Sequence, residues 1–110
     1  MNINDPVTAL SALAQTTRLE TFRLLVRHAP HGLAAGEVAR RLDVPQNTMS
    51  AHLATLARAG LVAPERHSRS IVYRADPDAL RGLMLFLAKD CCGGRAELCA
   101  PLVADLAGCC

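Results

Sequence analysis

The sequence predicts a mainly α domain that carries one small β-hairpin. Three observations lead there. Aromatic residues make up only 3% of the 110, namely Phe22, Tyr73 and Phe86, so the core has to be built from Leu, Val and Ala. The dipeptide Asp-Pro occurs twice, at Asp5-Pro6 and Asp76-Pro77, and reads each time as an N-cap followed by proline at the first helical position. Strand preference gathers in one place, Val62–His67 and Ser70–Ala75, on either side of the polar tip Ser68-Arg69.

A first helix is expected from Pro6 to about Leu13. Thr16 or Thr17 caps a second, which reaches about His28. Its Leu19, Phe22 and Val26 recur at i, i+3 and i+7 with Leu25 beside them, which marks a core face. Ala29-Pro30-His31-Gly32 ends it. A third, short helix covers about Ala35 to Leu42, with Val38, Ala39 and Leu42 inward, and Asp43-Val44-Pro45 makes a tight turn. The fourth helix runs from Gln46 to about Ala59, and Gly60 is its stop. Met49, Leu53 and Leu56 give it a narrow apolar stripe. After the hairpin, the fifth helix sets Leu80, Leu83, Met84 and Leu87 on one face, and Leu85 and Phe86 widen that stripe beyond what one protomer's core needs. Gly93-Gly94 loosens the chain, and Arg95–Leu106 suits a last short helix. Residues 1–90 are thus expected to form the folded domain, and 91–110 a cysteine-rich tail.

Net charge is only +2, but it is unevenly spread. Residues 18–74 carry nine arginines against four carboxylates, net +5, and residues 75–110 carry three cations against five carboxylates, net −2. A basic body suggests a surface for a polyanion. No apolar run approaches the roughly 20 residues that span a bilayer, and the N-terminus lacks a signal-peptide pattern. A cytoplasmic protein with no membrane partner is expected. A domain this small buries a modest share of its surface, which favours a core shared in a homodimer.

A short helix, a three-residue turn and a longer helix make a helix-turn-helix pattern. At ~100° per residue the stripe Met49, Leu53, Leu56 defines the buried side of the second helix. Asn47, Ala51, Ala54 and Arg58 then face away, flanked by Thr48 and Ser50. Short polar side chains near such an N-terminus can reach base edges in the major groove of double-stranded DNA, and Arg58 can reach phosphate. Arg66, His67 and Arg69 on the hairpin suit a phosphate or minor-groove wing. Gln46 and His52 complete the candidate DNA-facing set.

The run Gln46–Val62 resembles the recognition helix and wing base of the ArsR/SmtB family of dimeric, metal- or metalloid-responsive winged helix-turn-helix repressors. The family pattern Ser-x-His-Leu-x-x-Leu-x-x-Ala-Gly-Leu-Val falls on Ser50, His52, Leu53, Leu56, Ala59, Gly60, Leu61 and Val62. Thr17–Leu25 resembles the family's second helix and Arg66–Tyr73 its wing, so the resemblance covers about residues 6–90. Pro45 stands where many relatives carry a capping Ser. The resemblance implies operator DNA as partner, dimerisation through the first and last helices, and no enzymatic activity.

All five cysteines lie in the last twenty residues: Cys91, Cys92, Cys99, Cys109 and Cys110. Clustered thiols in a cytosolic chain bind soft metals or metalloids, or respond to oxidants. The family's founding arsenic sensors carry Cys-x-Cys at the start of the third helix, where this chain has Ala34 and Gly36. Its zinc sensors use Asp and His on the last helix, and Asp76–Asp90 contains no His. Cys91, Cys92 and Cys99 resemble the C-terminal three-cysteine site of a subgroup of arsenite-responsive repressors. The implied effector is trivalent arsenic or antimony, with no organic cofactor. Cys109 and Cys110 are an accessory pair or a frayed tail. Zinc, cadmium or lead, or a thiol redox switch on the same scaffold, remain as alternatives. A thiol enzyme is disfavoured, because no general base or oxyanion cradle accompanies the cysteines. His28 and His31 frame a loop and are expected to be exposed. His52 and His67 fall on the DNA-facing elements, and no histidine is assigned to metal.

Overall fold

The computed structural model describes residues 5–91 and 95–108. In chain order the elements are α1 (Pro6–Leu13), α2 (Thr16–Arg27), β1 (Leu33–Ala34), α3 (Ala35–Leu42), α4 (Gln46–Arg58), β2 (Val62–His67), β3 (Ser70–Ala75), α5 (Pro77–Cys91) and α6 (Ala96–Ala107). The architecture is the expected one, mainly helical with a β-hairpin wing. Both Asp-Pro signals act as read: the Asp5 carboxylate accepts from Thr8 N–H at 2.9 Å, and Asp76 Oδ1 accepts from Asp78 N–H at 3.0 Å.

The core sits between α2, α4 and the root of the wing. Leu25, Val38, Met49, Leu53, Leu56 and Leu61 are fully buried, each contributing about 1.5–3 kcal/mol relative to exposure. Gly60, at φ +81°, turns the chain out of α4 so that Leu61 N–H bonds Leu56 O at 3.0 Å and Leu61 drops inward. Strands β2 and β3 pair antiparallel from Val62↔Ala75 to His67↔Ser70.

Three expectations about the elements need correction. The wing is a three-stranded sheet of order β1-β3-β2, because Leu33 and Ala34 pair with Tyr73 and Val72. The cap of α2 is Gln15, directly before Thr16, and its Oε1 accepts from Arg18 N–H, the third of the helix, at 2.8 Å. The inner face of α2 is Thr21, Phe22, Leu24 and Leu25, whereas Leu19 and Val26 are exposed. Thr21 is tolerated inside because its hydroxyl donates to Thr17 O at 2.7 Å, and it lies 3.5 Å from Met49 Sδ.

On the outer side of α3, Glu37 accepts hydrogen bonds from Arg40 and Arg41. These bonds, Arg40's first, hold its carboxyl down at about 2. A carboxylate depressed in the folded state stabilises above its usual value near 4.5, and that contribution is lost as pH falls toward 2. Glu37→Gln is therefore expected to be less stable than the parent at pH 6 and to approach it as pH falls toward 2, as read by urea unfolding across that range. Arg41 also reaches His28 Nε2 at 3.0 Å. His28, expected to be exposed, is half-buried, whereas His31 is exposed as expected.

Candidate functional site

Helix α4 begins without a side-chain cap on Pro45, as that residue dictates. Its first turn is instead braced by Asn47, whose Oδ1 accepts from Thr48 N–H at 3.0 Å and leaves the amide Nδ2 outward. Gln46, Asn47, Thr48, Ser50 and Ala51 are all exposed, opposite the buried Met49, Leu53 and Leu56. His52 is half-buried at the edge of this face. Arg58 is exposed at the far end, its guanidinium 3.3 Å from Thr55 Oγ1.

The wing brings its own cations to the same side. Ser68, at φ 56°, takes the left-handed turn that puts Arg69 at the tip. Gln46 and Ser50 from α4, Gly36 from α3, and Arg69, Ser70 and Tyr73 from the wing together line a polar cleft of about 310 Å³. Two side chains chosen from the helix and one from the hairpin are thus neighbours. Arg66 is exposed, and neither it nor Arg69 meets a carboxylate among the described residues. His67 is engaged within the wing, Nε2 to Glu65 Oε1 at 2.6 Å, and Arg74 stands 3.6 Å from the same carboxylate. Glu65 thus engages His67 and Arg74, and the arginine at the tip is left to face outward. A third strand holding β3 against the body was the element missed in the sequence; it steadies this wing from behind.

The thiols are partly in view. Cys91 is the last residue of α5, and Cys99 lies in the first turns of α6, half-buried, with Sγ 3.8 Å from Ala88 O. Ala88 precedes Cys91 by three residues, about one helical turn. Arg95 pairs with Glu97 at 2.9 Å. Cys92, Cys109 and Cys110, with Gly93-Gly94, lie outside the described residues. Among the described residues no three His, Cys, Asp or Glu side chains converge on one point. Ala34 and Gly36 offer no sulfur where a Cys-x-Cys pair would stand, and both line the polar cleft instead.

Comparison with known proteins fits this geometry. A family profile described as a helix-turn-helix domain matches residues 13–65. An HTH-type transcriptional regulator of Mycobacterium tuberculosis is 40% identical over 80 residues, 72% of this chain and 71% of the relative. The homodimeric winged helix-turn-helix DNA-binding domain of a possible ArsR-family transcriptional regulator from Mycobacterium bovis superposes with a TM-score of 0.62 at 30% identity, over 73% of this chain and 72% of that one. A structure described as a possible transcriptional regulator for arsenical resistance is also 30% identical, with a TM-score of 0.65, over 88% of this chain and 94% of that one.

The chain belongs to the ArsR family.

As an ArsR-family protein it is a winged-helix DNA-binding transcriptional regulator and not an enzyme. No helix among the described residues is long and apolar enough to cross a membrane.

Proposed function

We propose that this ArsR-family chain is a cytoplasmic, homodimeric repressor of operator DNA, released when trivalent arsenic or antimony is captured by the thiolates of Cys91, Cys92 and Cys99. The observation that carries this reading is the placement of Cys99. Helix α6 doubles back beside α5, and the Cys99 sulfur stands 3.8 Å from a carbonyl one turn before Cys91. Cys91 at the end of α5, Cys92 next to it in sequence, and Cys99 returned to that end are a donor set suited to a soft, three-coordinate metalloid. The similarity to a structure described as a possible transcriptional regulator for arsenical resistance supports the same effector class.

Exposed Gln46, Asn47, Thr48, Ser50 and Ala51, with His52 at the edge, read the major groove on this proposal, and Arg58, Arg66 and Arg69 hold phosphates. A dimer presents two such faces about one helical turn of DNA apart. Drawing Cys99 toward the end of α5 alters that helix and the dimer contact made by it, and so the spacing of the two faces.

The test is a parallel titration of the protein on its operator with arsenite, antimonite, methylated arsenite, zinc and hydrogen peroxide. Arsenite and antimonite are expected to release the DNA at concentrations where zinc and peroxide do not. Release by zinc or peroxide alone would show that the scaffold serves another signal. For the DNA face, Asn47→Ala and Ser50→Ala are each expected to cost ~1–3 kcal/mol of specific operator affinity. Arg69→Ala weakens specific and non-specific DNA alike and lowers the slope of log affinity against log salt by about one. Operator affinity unchanged in all three, measured by fluorescence anisotropy, would show that the reading face lies elsewhere.

A further inference from the structure

We propose that Gly36 is a positioning residue for DNA reading: because it has no side chain, the carboxamide of Gln46 lies flat upon it and is held edge-out to read an adenine. Gly36 is exposed in the first turn of α3, and Gln46 is the first residue of α4. A Cβ at Gly36 would meet Nε2, Cδ and Oε1 of Gln46 at 3.6, 3.8 and 3.8 Å, the nearest atoms outside its own stretch of helix. Three atoms of one planar group at nearly equal distance set the face of the amide, not its edge, over Gly36. An alanine methyl meets that face in ordinary contact. A longer side chain competes for the room the amide fills.

The edge left over carries a donor, Nε2–H, beside an acceptor, Oε1. Neither is hydrogen-bonded within the protein among the described residues, whereas Oδ1 of the neighbouring Asn47 already accepts from Thr48 N–H. In the major groove adenine alone sets a donor, N6–H, beside an acceptor, N7; guanine sets two acceptors there. A phosphate offers acceptors only, and it suits Arg69, which lines the same cleft as Gln46 and Gly36. Gln46 also stands in the turn of a recognition helix that meets base edges. An amide already laid on Gly36 gives up less side-chain freedom on binding than one that swings in solvent. Gly36 thus acts on sequence preference through Gln46.

The inference rests on the DNA-facing role of α4 proposed above. It adds which base Gln46 reads and what fixes the amide in place, and it is independent of the effector.

The test selects sites from a duplex DNA library with a randomised centre, using the full chain without metalloid. The parent is expected to prefer adenine by about 5- to 150-fold at one base pair of each half-site. Gly36→Ala keeps that preference. Gly36→Leu and Gln46→Ala each lose it, leave the other positions of the site unchanged, and bind random-sequence DNA like the parent at equal salt. The double variant Gly36→Leu/Gln46→Ala matches Gln46→Ala alone. Position 36 is exposed and free of left-handed backbone, so leucine is expected to fold there, as helix content by circular dichroism checks.

A Gly36→Leu variant that keeps the adenine preference overturns the proposal. So does a Gln46→Ala variant that selects the parent's site. Both results leave the DNA-facing role of α4 standing. Loss of every position together in Gly36→Leu also overturns it, since Gly36 would then serve the fold and not one contact. A parent that selects no sequence at all overturns both the proposal and that role. Nuclear Overhauser contacts in the DNA-free parent give a readout without substitution. The Gln46 side-chain amide protons are expected to show a contact to the Gly36 α-protons, and its absence sinks the proposal.

Discussion

Cys99→Ser is expected to leave operator binding intact and to abolish release by arsenite. The hydroxyl is close in size to the thiol, and the position is only half-buried, so the fold tolerates the exchange. What is lost is a soft donor, and an oxygen does not replace it for a thiophilic centre. A repressor whose operator occupancy falls ~100-fold on effector binding requires ~2.7 kcal/mol of differential affinity, an ordinary coupling between two sites. Cys91→Ser and Cys92→Ser should behave alike, because two remaining thiolates hold inorganic arsenite poorly. The Cys109→Ser/Cys110→Ser double variant should still release. Electrophoretic mobility shift with an arsenite series decides the matter. Normal release of Cys99→Ser together with failure of the double variant would move the terminal pair into the site.

Gly32→Ala is expected to be the most damaging small substitution in the fold. Gly32 has φ +80°, and a Cβ placed there would stand 2.4 Å from Tyr73 O, a backbone atom that cannot swing aside. The left-handed conformation alone costs an L-residue roughly 1–2 kcal/mol, and overpacking adds about 1–3 more. To relieve the contact β1 must leave β3, which removes the Leu33↔Tyr73 pairing that backs the wing. Urea unfolding should show a loss of roughly 3 kcal/mol, a large part of the stability of a domain this size. Gly36→Ala is the contrast. Its Cβ would meet only the Gln46 side chain, at 3.6 Å, and the helix prefers alanine by up to about 1 kcal/mol. Equal midpoints for the two variants would contradict this account.

The helices and the hairpin were legible because their signals are local. Asp-Pro, Gly60 and the Met49-Leu53-Leu56 stripe each act over a few residues, and the hairpin strands fall where their composition puts them. Strand β1 was not legible, since two residues carry no periodicity and Leu33 is a strand only because Tyr73 lies across from it. The inner face of α2 was misjudged for a related reason. Its helix phase places Thr21 at the centre of the buried arc, and a threonine there is admitted only by the Thr17 carbonyl and the Met49 packing that the fold supplies. The DNA-facing residues of α4 share one continuous segment, so their common side follows from helical phase. The nearness of Cys99 to Ala88 follows from how α6 packs on α5, which no local pattern encodes. Likewise the Gln46, Ser50 and Arg69 cleft exists only once the wing is folded against α3 and α4.

Asp76 closes the wing at its root. Its backbone N–H bonds Leu61 O at 2.9 Å, directly behind the Val62↔Ala75 pair, while its carboxylate caps α5. The hairpin and that helix thus share one hydrogen-bonded root and form the two limbs of a bent rod. Six residues of strand at ~3.3 Å each make an arm of about 20 Å. A tilt of α5 by ~5° then carries the arginine at the tip through about 2 Å, more than separates a sound hydrogen bond from none. A movement too small to disturb the packing at one end of the rod is thus magnified at the other into the making or breaking of a grip on DNA.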